Sequence, residues 1–211
     1  LEEIVRDAAI KRGADLRFFT ELIDFSQNSH SVTAVIKNRQ NNEKQTIKAR
    51  YMIAADGNRS GIRERLGIKC LGLGTILHSM EIGFQADLRQ LLAHRPLAFA
   101  WVKNEAMDAY LSWQSSLDEG ALSVVYDPEK DDIAIRFSDD QAISMLSSAL
   151  GLPALAIKLK HKDPWSMASW TAERYQDEKI FLVGDAAHVT PPGGGFGANM
   201  GIQDTHNLCA K

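Results

Sequence analysis

The chain is poor in several features, and each shortage excludes a class of function. Its 211 residues include only two cysteines, Cys70 and Cys209. They stand in no metal-ligand spacing and read as free thiols of a reducing compartment rather than as a disulfide framework. Positive charge is in no excess: 24 Lys and Arg against 27 Asp and Glu leave a net charge of −3. That removes the electrostatic basis for binding nucleic acid, which is not expected as a partner. No apolar run approaches a membrane span and no signal peptide is visible, so no membrane partner is expected and the reading is cytoplasmic. Three catalytic strings are also missing: the G-x-x-x-x-G-K-[ST] phosphate loop, the G-x-S-x-G nucleophile elbow and the H-E-x-x-H zinc pair. The histidines are scattered, so no metal ligands are assigned, and His188 reads as a packed or cofactor-side histidine rather than a catalytic base.

What is present is a chain 45% hydrophobic and long enough for one large or two small domains. Its most informative stretch is Lys179–Gly201, KIFLVGDAAHVTPPGGGFGANMG. Ile180–Val183 is a short apolar run of the kind buried on both faces of a sheet, and Gly184-Asp185 puts a carboxylate where that strand ends. Open α/β sheets bind ligands at that position. The loop after it contains Pro191-Pro192 and glycines at 193, 194, 195 and 197. Without side chains there, the backbone can approach a ligand closely. Ala198-Asn199-Met200 then reads as a first helical turn whose free N–H groups suit an anion or a group that becomes anionic. Strand, acid, glycine loop and helix start together favour a nucleotide-type cofactor site.

A second apolar run, Tyr51–Ala55, also ends in a carboxylate, Asp56, followed by Gly57, Asn58, Arg59 and Ser60. Ser60 is placed to cap a short helix over Gly61–Leu66. Alone, this is an ordinary Asp-Gly turn with a solvated arginine.

The two strings GDAAHVTPPGGGFGANMGIQD and AADGNRSGIRERLGI resemble the Gly-Asp and Asp-Gly motifs of the FAD-dependent aromatic hydroxylases. These are single-component flavoprotein monooxygenases of the para-hydroxybenzoate hydroxylase type, and the likeness is strongest to the hydroxylases of aromatic polyketides. The resemblance implies that Gly184 and Asp185 serve the ribityl chain of FAD and that the Pro192 carbonyl faces the reaction site. It implies that Gly195 and Gly197, with the N–H groups of Ala198, Asn199 and Met200, meet the flavin. Asp56, Gly57 and Arg59 would serve the cofactor pyrophosphate region and NAD(P)H. The implied activity uses FAD, NAD(P)H and O₂ to hydroxylate a small aromatic substrate, phenolic or polyketide, through a flavin C4a-hydroperoxide. The flavin carries the chemistry, so no side chain is assigned as catalytic. Two alternatives stay open: a truncated, non-catalytic flavoprotein-like module, and another flavin-dependent oxidation on the same scaffold. Nothing in the sequence sets the oligomeric state, the substrate ring or the choice between NADH and NADPH.

The implied fold is α/β: part of an FAD-binding, Rossmann-like domain with an inserted antiparallel-sheet substrate domain. Residues 1–71 read as the first part of the cofactor domain, 72–168 as the inserted sheet and 169–211 as the return. The G-x-G-x-x-G unit that binds the ADP half of FAD is not found. Gly193–Ala198 fits its string without the strand-to-helix setting it requires. The chain opens within a helical pattern, Leu1, Ile4, Val5, Ala8 and Ala9, and ends in a helix running into Lys211, so it reads as a fragment.

Finer expectations follow from periodicity. Strands are predicted over Leu16–Phe19, Val32–Ile36 and Thr46–Ala55 as a meander, with turns at Ser26–Ser31 and Asn38–Lys44. Further strands are predicted over Thr75–Ala86, Ala98–Val102, Ala109–Ser115, Leu122–Tyr126 and Ile133–Phe137. Ser138 and Gln141 read as a capping box opening a helix that closes at Gly151. Trp101, Tyr110, Trp113 and Phe84 are candidates for one face of the sheet, without being assigned as substrate contacts.

Overall fold

The computed structural model describes residues 1–95, 97–105 and 107–210. Helix α1 (Glu2–Lys11) is followed by strands β1 (Thr20–Gln27), β2 (Val32–Asn38), β3 (Lys44–Ala49) and β4 (Met52–Ala54), then by the short helix α2 (Gly61–Arg65). Next come β5 (Cys70–Gln85), the helical turn α3 (Arg89–Leu92), β6 (Phe99–Lys103), β7 (Asp108–Trp113) and β8 (Glu119–Tyr126). Helices α4 (Ile133–Arg136) and α5 (Asp139–Leu150) lead to β9 (Lys158–Ala172), β10 (Gln176–Asp177) and β11 (Ile180–Leu182). A single 3₁₀ turn at Gly184–Ala186, the two-residue β12 (His188–Val189) and helix α6 (Phe196–Cys209) complete the order. The expected run of the last helix into Lys211 lies outside the described residues.

The chain folds into two units. The first takes Leu1–Lys69, Ala172–Ala187 and the chain from Met200 onward, and the second takes Cys70–Thr171 and His188–Asn199.

In the first unit, β1, β2 and β3 form an antiparallel meander in that order. Its first strand is not Leu16–Phe19. Phe19 has φ +55°, a left-handed value that turns the chain, and its carbonyl accepts the Arg39 N–H at 2.7 Å at the open end of the β1–β2 hairpin. Pairing begins at Thr20↔Asn38 and runs to Gln27↔Val32, so Ser26 and Gln27, polar enough to read as turn, are strand because β2 pairs with them. The run read as one strand over Thr46–Ala55 is two. β3 pairs with β2, whereas β4 lies parallel to β11 in a separate sheet of order β10-β11-β4. β11 is central in that sheet, and Ile180 and Leu182 are buried, as its unbroken apolar run requires. Helix α1 forms where its spacing predicts, yet none of its residues is buried.

In the second unit, six strands form one sheet of order β12-β9-β5-β8-β7-β6. Alternate residues point to one face: Met80, Ile82 and Phe84 of β5, Leu122 and Val124 of β8, Ala109 and Leu111 of β7. They pack with Ala142, Leu146 and Leu150 of α5 into one core. Burying each large side chain there contributes about 1.5–3 kcal/mol. The four candidate aromatics separate by the same alternation. Phe84 is fully buried in the core and Trp113 packs against it. Trp101 and Tyr110 are register partners on the opposite face, where Tyr110 also stacks on Phe99 at 5.2 Å.

Ile133–Phe137 is not a strand. The Asp132 carboxylate accepts the N–H groups of Ala134 at 3.0 Å and Ile135 at 3.2 Å, so a side-chain cap winds this segment into the α4 turn despite its β-like alternation. Ser138 does precede α5, but its side chain makes no capping bond, so the capping box is not formed. Gly151, φ +67°, ends α5 as expected.

Candidate functional site

The Asp-Gly and Gly-Asp motifs follow β4 and β11. Because these strands are parallel neighbours (Ile53↔Phe181, Ala54↔Leu182), both motifs leave the same end of the sheet, and Val183 N–H continues the pairing to the Ala54 carbonyl at 3.0 Å. Asp56 and Asp185 are far apart in the sequence, and the parallel register brings their loops side by side.

Within the first loop, Asp56 is engaged locally: one carboxylate oxygen accepts the Ser60 hydroxyl at 2.6 Å and the other accepts Ile62 N–H at 3.2 Å. Ser60 in turn caps α2 through Arg63 N–H at 2.9 Å. Gly57 has φ +82°, which allows the chain to double back between Asp56 and the helix. Arg59 is exposed. The arginine that acts structurally is Arg63, 5% exposed. Its guanidinium donates to the Asn58 carbonyl at 3.0 Å and to the Ala186 carbonyl at 3.0 Å, so one buried cation ties the two motif loops together. A hollow of about 400 Å³ lies beside this loop, bounded by Asp56, Ile62, Arg65, Phe25, Asp24 and Leu22. A larger one, about 610 Å³, sits on the meander at Leu16–Phe18 and Lys44 and contains none of the motif residues. Proximity to the motif, not size, makes the smaller one relevant.

In the second motif, Gly184 has φ +58° and starts the 3₁₀ turn that carries Asp185. The Asp185 side chain is exposed and has no hydrogen bond or ion pair among the described residues. The Gly184 N–H donates to an Asp204 carboxylate oxygen at 2.9 Å. Gly201 of the same helix lies against Gly184, and a Cβ on Gly201 would stand 3.2 Å from the Gly184 Cα.

The glycine loop belongs to the second unit, which β12 joins by pairing with β9 (His188↔Thr171, Val189↔Trp170). The Pro192 carbonyl accepts Gly195 N–H at 3.1 Å, closing a turn, and Gly194 and Gly195 have φ +89° and +67°. Helix α6 starts at Phe196, two residues before the expected Ala198. Its unpaired amides are therefore those of Phe196, Gly197 and Ala198, while Asn199 and Met200 already reach back into the first turn. The Asn199 side-chain amide donates to the Gly195 carbonyl at 2.8 Å and holds the loop against the helix.

The loop is open at three of its glycines. A Cβ on Gly193 or Gly195 would meet no atom within 4 Å, and one on Gly197 would meet only the Thr190 hydroxyl at 3.8 Å. That hydroxyl oxygen is buried without a hydrogen-bond partner among the described residues. Gly194 is the exception: a Cβ there would stand 2.4 Å from the Phe196 ring. In the first unit the Asp185 carboxylate is uncommitted among the described residues, and in the second the backbone is open at Gly193, Gly195 and Gly197.

The FAD binding domain family matches residues 1–211, the full chain. The chain belongs to this FAD-binding family. It is 39% identical over 216 residues to a 4-methyl-5-nitrocatechol 5-monooxygenase of Burkholderia sp, covering all of this chain and 39% of the relative. It is 38% identical over 219 residues to a tetracenomycin A2 monooxygenase-dioxygenase of Streptomyces glaucescens, with the same coverage. Among solved structures, an aklavinone-11 hydroxylase with FAD and aklavinone superposes with a TM-score of 0.90 at 32% identity, over 98% of this chain and 39% of that one. The FAD-binding chain thus spans about two fifths of the length of these relatives, and its mixture of parallel and antiparallel sheets is the fold of these FAD-binding hydroxylases.

Three residues of this FAD-binding chain that shape the motif loops carry little signal in the sequence: Arg63, Gly201 and Asp204. Arg63 falls between Ile62 and Leu66, an inward-facing position for α2, and that is its only mark. Gly201 and Asp204 stand at i and i+3 on one helix face, a small residue beside an acceptor, which is the pattern of a helix packed on a backbone turn.

Proposed function

We propose that this chain is the flavin-contacting part of an FAD-dependent monooxygenase that hydroxylates an aromatic substrate, phenolic or polyketide, with NAD(P)H as reductant and O₂ as oxidant. The observation that carries this reading is the pairing of two acid-tipped loops at one end of a parallel strand pair, with the Asp185 carboxylate uncommitted among the described residues. Asp185 would accept hydrogen bonds from ribityl hydroxyls, and charge-assisted bonds of this kind are strong enough to retain a cofactor. The Phe196–Ala198 amides would face the ring, where the positive end of α6 stabilises negative charge on reduction. Arg59, exposed at the Asp-Gly loop, is the residue for a phosphate of the dinucleotide. FAD supplies the oxygen-activating chemistry, and the chain binds it, orients it and stabilises its charge. The names of the relatives, which act on a nitrocatechol and on tetracenomycin, support an electron-rich aromatic substrate.

The test is Gly197→Ala in the full-length protein. A methyl here meets only an ordinary 3.8 Å contact within the chain, and replacing a helical glycine favours the fold by up to about 1 kcal/mol. Apoprotein stability should hold or rise while FAD affinity and substrate-stimulated NAD(P)H oxidation fall. Unchanged FAD affinity would leave the loop a mere connector.

A further inference from the structure

The Gly-Asp turn does not hold its shape alone. Gly184 is in the left-handed region, and its N–H points out of the sheet toward α6 rather than into a strand partner. Two residues of α6 meet it there. The Asp204 carboxylate accepts that N–H at 2.9 Å, a charge-assisted bond to a half-buried donor. Gly201, one turn earlier on the same face, brings helix backbone to within van der Waals contact of Gly184, close enough that a Cβ would stand only 3.2 Å from the Gly184 Cα. The residue following Gly184 is Asp185, whose carboxylate has no partner among the described residues to orient it.

We propose that Asp204, acting with Gly201, is a positioning residue that sets the direction of Asp185 toward the cofactor. This rests on the FAD reading above. Asp204 does not touch the ligand. It fixes the N–H of the residue before Asp185, and so the φ and ψ of the one-turn helix from which Asp185 projects. The Ala187 N–H to Gly184 carbonyl bond, 2.8 Å, closes the turn itself, and Asp204 with Gly201 sets its direction against the helix. A purely structural aspartate would stabilise the fold without altering how flavin is held.

The experiment uses the full-length protein with Asp204→Leu, Asp204→Asn and Gly201→Ala, each titrated as apoprotein with FAD. Flavin fluorescence gives the affinity, the visible absorption band reports the environment of the bound ring, and thermal unfolding of the apoprotein is followed alongside. Asp204→Leu should lower FAD affinity about tenfold and shift the visible band. Asp204→Asn keeps an acceptor oxygen and should return both to near the wild-type values. Gly201→Ala should shift affinity and band in the same direction as Asp204→Leu. Wild-type affinity and spectrum in Asp204→Leu would overturn the proposal, as would Asp204→Asn losing as much as Asp204→Leu. Should Asp204→Leu fail to fold, wild-type affinity and spectrum in Gly201→Ala overturns it equally. Wild-type protein that takes up no FAD would instead overturn the cofactor reading.

Discussion

Replacing Arg63 by Met isolates a side chain that joins the two motif loops. The guanidinium is almost fully buried and donates to the Asn58 and Ala186 carbonyls, both at 3.0 Å. Hydrogen bonds involving a charged group are worth about 1.5–3 kcal/mol each, so losing two costs roughly 3–6 kcal/mol. Removing a buried charge returns part of the desolvation cost it carried, and the thioether buries about as much apolar surface as the arginine stem. The net cost is therefore about 2–4 kcal/mol, concentrated where the loops meet. Hydrogen exchange on the full-length protein resolves this locally. Protection of the amides of Ile62 and Ala187 should fall roughly 30- to 1000-fold, given about 1.4 kcal/mol per factor of ten, while amides in the β5–β8 ladder keep theirs. Arg59→Met, at an exposed arginine, should change protection by less than about 0.5 kcal/mol. Equal protection in Arg63→Met and wild type, or equal losses in both variants, would refute the reasoning.

The two faces of the six-stranded sheet predict opposite outcomes. Phe84→Ala, at a fully buried position, should destabilise the second unit by about 3–5 kcal/mol, measured by exchange in β8. Trp101→Ala, at 65% exposure, should leave that unit's stability within about 1 kcal/mol and is checked the same way. The Asp131 carboxyl is held below the ordinary aspartate value by the hydrogen bond from Arg136, and Asp127 N–H adds to the effect. A depressed value means the contribution is complete above the unfolded pKa of about 3.9 and is lost as pH falls through the lower folded value. A carboxyl titration by NMR should place the Asp131 midpoint below that figure, and Arg136→Met should raise it.

What was legible in the sequence was what local chemistry decides. The apolar run into β11, the Ser60 cap, the glycine stop at Gly151 and most of the sheet strands each follow from side-chain pattern within a few residues. The errors came where a distant partner or a single polar bond outweighed that pattern. Leu16–Phe19 is apolar enough for a strand, but among the described residues no strand pairs with it, whereas Ser26 and Gln27 have Thr33 and Val32. Ile133–Phe137 alternates like a strand, yet Asp132 satisfies two amides and makes it helical. The places of Asp56 and Asp185 just beyond strand ends could be read from the apolar runs before them. Arg63 and Asp204 could not, because their roles rest on bonds to backbone groups 123 and 20 positions away.

The parallel pairing of β4 with β11 sets a condition on how the chain folds. It joins Met52 to Ile180, closing a loop of roughly 130 residues, and for a flexible chain that closure costs about 4 kcal/mol of entropy beyond a constant term. So short a strand pair cannot meet such a cost early. The intervening residues, however, contain the antiparallel β5–β8 and β7–β8 ladders, whose partners lie much closer in sequence. Once that sheet has formed, the loop is no longer flexible and its ends are already restricted. The order of events is therefore written into the topology: the inserted sheet first, the two acid-tipped loops together afterward. Pulsed amide exchange during refolding should find Val124 and Leu122 protected before Leu182 and Val183, and the reverse order would show that the strand pair nucleates on its own.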